Sequence, residues 1–181
     1  MKRITFAPLL STALLASALL AGCATAPRAD ASASNPNVQF TWNDPASFAD
    51  TRTNQCRSRV KPGEWLGQLG RFVESRADRF IASGQALKIT ITDIQRAGQC
   101  EPWRGPNLDD VRVIKNVYAP SISLHFSLAD ADGHVVSEGD RTLRDSAFMQ
   151  RDTMLNKDDP LRFEKRLLDD WMRKEFVAAR H

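Results

Sequence analysis

The 181 residues contain no Gly-rich phosphate loop, no Cys-x-x-Cys, no His-Glu-x-x-His and no Gly-x-Ser-x-Gly elbow. Each absence removes one mechanism: P-loop nucleotide binding, dithiol redox exchange, zinc-dependent proteolysis or elbow-type acyl transfer. Charge of one sign is lacking too. The chain has 25 basic and 22 acidic side chains, and 23 against 22 remain once Lys2 and Arg3 are discounted with the leader described below. A surplus of one gives no electrostatic reason to bind nucleic acid or an acidic lipid surface. No apolar run reaches the ~20 residues that a membrane-spanning helix needs. Internal repeats are absent.

What is present begins at the N-terminus. Lys2-Arg3, an apolar run from Ile4 to Leu20 and then Ala21-Gly22-Cys23 form the charged, apolar and small-residue regions of a secretory signal. Leu20-Ala21-Gly22-Cys23 resembles the lipobox of bacterial lipoproteins. The resemblance implies removal of residues 1–22, diacylation of the Cys23 thiol and acylation of the new amino terminus. Several acyl chains on one residue anchor stably where a single chain binds marginally. Ala24, not being Asp, points to the periplasmic face of the outer membrane under the sorting rule known for enterobacterial lipoproteins. Residues 23–37 are small, polar and Pro-containing, and read as a lipidated flexible tether with a span of roughly 20 Å. The 38–181 remainder is expected to be a single domain.

Lipidation of Cys23 leaves Cys56 and Cys100 as an even pair in an oxidising compartment. A disulfide between them is expected; two free thiols or a metal pair are the alternatives, and no His or Tyr with ligand spacing lies near either cysteine.

The alternation in Val38–Trp42 predicts a strand with Val38, Phe40 and Trp42 inward. Trp65, Leu66, Leu69, Phe72, Val73, Phe80 and Ile81 predict an amphipathic helix from Gly63 to about Ser83, stopped by Gly84. Leu87–Thr92 is the clearest strand, Ala97–Asp110 a Pro/Gly-punctuated loop and Val111–Val117 a short strand. Ile122–Leu128 and His134–Leu143 form a hairpin around Asp130–Gly133, and Asp145–Asp159 reads as a polar connection. Pro160 opens a last helix with Leu161, Leu167, Leu168, Trp171, Met172 and Phe176 as its buried stripe. The economical arrangement is an α+β two-layer sandwich: a mainly antiparallel sheet with two helices on one face.

Four stretches together resemble a bacterial family known only as a domain of unknown function, family 3016. They are Phe40–Pro45 with Phe48-Ala49-Asp50, Leu87–Ile94 with Ala97-Gly98, the hairpin Ile122–Arg144, and Phe163–Trp171. The resemblance covers about Val38 to Phe176; it implies a fold but no activity, ligand or catalytic residue.

Two constellations remain. With Asp130–Gly133 as the turn, His125 is expected opposite Glu138, with Asp140 and His134 on the same polar face. Such a pair suits general acid–base work or a metal, and equally a solvated sheet face. Trp103-Arg104, in the loop beside Cys100, reads either as a recognition tip or as an aromatic folded back over the sheet. Trp65, Trp171 and Trp42 are expected in the core. The chain is therefore expected to be a lipid-anchored, non-catalytic binding or accessory module of the cell envelope. That reading involves a membrane anchor, a periplasmic protein partner, no nucleic acid, no cofactor and no metal. An envelope hydrolase using His125 and Glu138, and a structural subunit of an envelope assembly, are the competing readings.

Overall fold

In the computed structural model, residues 35–53, 56, 61–105, 110–151 and 158–177 are described. The leader, Cys23 and the tether up to residue 34 lie outside them.

Strand β1 (Val38–Trp42) leads through a short helix α1 (Ala49–Thr53) and helix α2 (Pro62–Ala77) to β2 (Ala86–Gln95). Two-residue strands β3 (Gln99–Cys100) and β4 (Arg112–Val113) pair antiparallel. The hairpin β5 (Ser121–Ala129) and β6 (Val135–Arg144) follows, then helix α3 (Arg162–Met172), which relaxes into one π-turn over Arg173–Val177. The main sheet has the order β1-β2-β5-β6. Both pairings of β5, with β2 and with β6, are antiparallel, whereas β1 runs parallel to β2, with Val38 beside Leu87 and Trp42 beside Ile91. The α+β sandwich is as expected, with a mixed sheet.

Period-two burial makes the core. Leu87, Ile89, Ile91 and Ile94 of β2 and Ile122, Leu124, Phe126 and Leu128 of β5 face the same side. There they meet Trp65, Leu66, Leu69 and Val73 of α2 and Leu167, Leu168, Trp171 and Met172 of α3. Each such side chain contributes about 1.5–3 kcal/mol on full burial. The expected stripe of the last helix is buried throughout, Phe176 included.

Four details depart from the sequence reading. The second helix ends at Ala77 rather than near Ser83, because Phe80 and Ile81 are buried by a turn whose amides bond back to Ala77 O. Gly84, at φ +84°, serves the turn into β2 instead of a helix end. Trp42 is exposed at the end of its edge strand, with its ring 6.3 Å from that of Phe40. Phe148, in the stretch read as a polar connection, is fully buried and packs edge-on against Phe163 at 4.8 Å.

Gly98 is where the small sheet approaches β2. Its φ is +79°, and a Cβ there would lie 2.8 Å from the Val113 carbonyl. Only glycine supplies both the left-handed backbone and the clearance.

Candidate functional site

A buried cluster of charged groups lies just beyond the end of β2. Asn35–Asn37 enter beside the start of β2, where the Leu87 amide bonds to Asn37 O at 2.8 Å. Eight residues later, roughly 27 Å away along the strand, β2 ends at Gln95 and delivers Arg96 to a buried carboxylate. That carboxylate is Asp50 of α1, only 4 % exposed. It accepts from the Arg96 amide at 3.1 Å, from Arg96 Nε at 2.9 Å, and from both terminal nitrogens of Arg112 at 3.2 and 3.3 Å. Arg112 Nη1 also donates to Gly98 O at 2.8 Å, tying β4 to the same point. Burial alone would raise the Asp50 carboxyl, but Arg112 and Arg96 outweigh it and hold the group below the ordinary carboxylate range. Burial pulls the Arg112 guanidinium downward, and Asp50 opposes that.

A second acid completes the cluster. Glu164 of α3 is 1 % exposed and accepts from the Ala97 amide at 2.7 Å. Its other oxygen has no partner among the described residues. Burial raises its carboxyl above the ordinary range, and the Ala97 amide with Arg96 and Arg112 only partly counters this. A neutral acid is the form this site favours.

Above the cluster opens a cavity of about 240 Å³. Arg96 and Arg112 line it together with the apolar Trp65, Pro160 and Leu161, and Gln68, Asp110 and Cys56 complete the lining. The Arg96 guanidinium lies over the Trp65 ring, 4.5 Å from its centre, a cation–π contact. Cys56 is disulfide-bonded to Cys100, as expected, so the bridge forms part of the cavity's edge.

The loop after Cys100 projects from the same end. Pro102–Arg104 form a single 3-10 turn and Trp103 is 68 % exposed, so it does not fold back over the sheet. Its base is rigid: Glu101 is buried, accepts from Tyr118 Oη at 2.9 Å, pairs with Lys115, and lies 2.8 Å from Arg104 Nε. The Lys115 hydrogen bond above all holds the Glu101 carboxyl below the ordinary range. Val111 and Val117, in the same connection, are exposed as well.

The hairpin departs from its expected register by two residues. His125 stands opposite Asp140, not Glu138, with Nδ1 2.9 Å from Asp140 Oδ1; Glu138 faces Ser127. The cause is the turn: Asp130 Oδ1 accepts from the Asp132 and His134 amides, which lengthens the connection, and a bulge follows at the Leu128/Ala129 step. A shift of two preserves the faces, so His125 and Glu138 share the polar side but are not partners. Both His125 and Asp140 are well exposed, with side chains 46 % and 87 % accessible. No cavity among those described includes them.

Asp50, Arg96, Arg112 and Glu164 were not singled out by sequence reasoning. A signal existed all the same. Phe48-Ala49-Asp50, Ala97-Gly98 and Phe163-Glu164, taken from three separate stretches that carry the family resemblance, meet at this cluster.

Among curated proteins, none matches this chain. Among solved structures, a minor lipoprotein from Acinetobacter baumannii is similar at 8 % identity, over 78 % of this chain and 91 % of that one. The TM-score is 0.25, too low for one fold to be read from the other. The family described as Protein of unknown function (DUF3016) matches residues 36–174, nearly the whole described domain, and this chain belongs to that family.

Proposed function

We propose that this protein is a lipid-tethered, non-catalytic recognition module of the bacterial envelope, anchored through Cys23 at the periplasmic face of the outer membrane. The supporting observation is the placement of Trp103. The indole is 68 % exposed on a loop whose base is held by Glu101 and by the Cys56–Cys100 bridge. Ordering a large aromatic before binding reduces the entropy lost on association, which is how anchor residues at interfaces work. The loop also follows the far end of β2, while the tether would attach beside its start. A partner engaging Trp103 thus meets the end of β2 opposite the one that Asn35–Asn37 adjoin.

In-cell cross-linking followed by affinity purification tests this reading. A co-purifying envelope protein is expected with the wild type and lost with Trp103→Ala at unchanged thermal stability. Recovery of a lone monomer after cross-linking overturns it. The anchor has its own check: palmitate labelling should vanish in Cys23→Ser, and persistent label refutes lipidation there.

A further inference from the structure

We infer that the cavity between α2, β4 and the start of α3 is a binding site for a small carboxylate with an apolar body. Charge balance around Asp50 carries the argument. Two guanidinium groups, Arg96 and Arg112, converge on a single carboxylate. Glu164, the next acid inward, is completely enclosed, with one oxygen lacking any partner among the described residues, an environment that disfavours a second negative charge. The side chains of Arg96 and Arg112 are 17 % and 19 % exposed, so water screens the surplus cation weakly. Asp110 is on the rim but exposed, where its charge is shared with solvent. One positive charge at the cavity wall thus calls for a monoanion.

The shape of the site narrows the chemistry. Arg96 gives Nε and Nη2 to Asp50 and lies 4.5 Å from the centre of the Trp65 ring, and its remaining terminal N–H groups suit the two oxygens of a carboxylate. Pro160, Leu161 and the Trp65 ring that carries Arg96 add apolar lining and offer no further cation for a second acidic group. At about 240 Å³ the space is below the 300–1,000 Å³ usual for drug-sized ligands. A carboxylate bearing one ring or a short branched chain is the matching class. Its source is a free small acid or the C-terminus of a peptide. This inference does not depend on the Trp103 loop having a protein partner.

The test uses the full chain in detergent micelles, with backbone and indole N–H signals followed by NMR. Phenylacetate should move the Trp65 indole and Gln68 amide signals saturably, with a Kd of about 1 mM or tighter. Phenylacetamide, of the same shape but uncharged, should bind at least about tenfold more weakly. Arg96→Lys keeps the charge and loses the fork, so it should weaken phenylacetate by a similar factor. Should that variant fail to fold, the acid–amide contrast on wild type still decides. A tripeptide ending in Phe with a free C-terminus, compared with its amide, separates the sources. Tighter binding than phenylacetate assigns the site to peptide termini, and weaker binding to free acids. No shift at roughly 10 mM phenylacetate, equal binding of phenylacetamide, or equally tight binding of inorganic phosphate overturns the inference.

Discussion

Glu164 Oε1 receives the Ala97 amide at 2.7 Å, a bond that joins α3 to the end of β2 across 67 residues of sequence. The carboxyl is buried, which raises its pKa above the ordinary 4.5, so the folded state keeps the proton where the unfolded chain gives it up. Its contribution to stability is therefore full below about pH 4.5 and is lost as pH rises through the native value. Asp50 has the opposite sign. Its carboxyl is lowered from 3.8, so its contribution is present above that pH and lost as pH falls through the native value.

Glu164→Gln should separate the two. The amide oxygen can still accept from Ala97, and nothing remains to ionise. Urea unfolding at pH 5, 6.5 and 8 should show wild-type stability falling toward pH 8 more steeply than that of the variant. Parallel pH curves would falsify the upward shift of this carboxyl.

The Cys56–Cys100 bridge closes a separation of 44 residues. In the chain-entropy model such a closure is worth about 4 kcal/mol. Reduction, or Cys100→Ser with Cys56→Ser, is expected to lower guanidinium-unfolding stability by up to that amount. Because Cys56 borders the cavity, reduction should also weaken any ligand held there. An unchanged midpoint under reductant contradicts a stabilising bridge, and so does thiol labelling of both cysteines in the unreduced, unfolded chain.

Local periodicity made β2, β5 and the apolar stripe of α3 readable, since each exposes one face every second or every third to fourth residue. Alternation does not say which strand is the neighbour or in which direction it runs, and so the parallel β1–β2 pairing was not legible. Alternation locates both strands of the hairpin, but their register differs from the expected one by two residues, because Asp130 captures two amides and lengthens the turn. The charged cluster stayed hidden for a different reason. Asp50 lies 46 residues from Arg96 and 62 from Arg112, so no spacing within the chain brings them together. Trp103 could be placed in a loop, but its exposure depends on Glu101 being clamped by Lys115 and Tyr118, which is again a contact at a distance.

Phe148 offers a test of packing outside the main core. It is fully buried with Phe163, Ala97 and Ala119, a cluster separate from the one under the sheet. Phe148→Ala should cost about 3–5 kcal/mol, the usual range for deleting a buried ring. Chemical denaturation with m unchanged is the measurement; a loss below about 1 kcal/mol would show that this segment does not fold as one unit with the sheet.

Gly98→Ala acts at the junction of β2 with the small sheet. The added methyl would need a left-handed backbone and would press on the Val113 carbonyl. A cost of about 1–3 kcal/mol is expected, together with faster hydrogen exchange at Gln99 and Val113, whose strands the clash would separate. Unchanged stability and exchange would mean that the small sheet tolerates displacement.

The hairpin pair decides between a binding module and a hydrolase. His125 and Asp140 hydrogen-bond on the open polar face, each strongly exposed, with Thr90 as the cross-strand neighbour of His125 on its other side. Exposed pairs of this kind contribute little, about 0–1 kcal/mol, and a general base with no enclosed substrate position beside it has nothing to act on. His125→Ala and Asp140→Ala should therefore each shift stability by less than about 1 kcal/mol and leave partner capture through Trp103 intact. Loss of a measurable hydrolytic activity in His125→Ala, at preserved stability, would reverse that order and make the open sheet face the working surface of the protein.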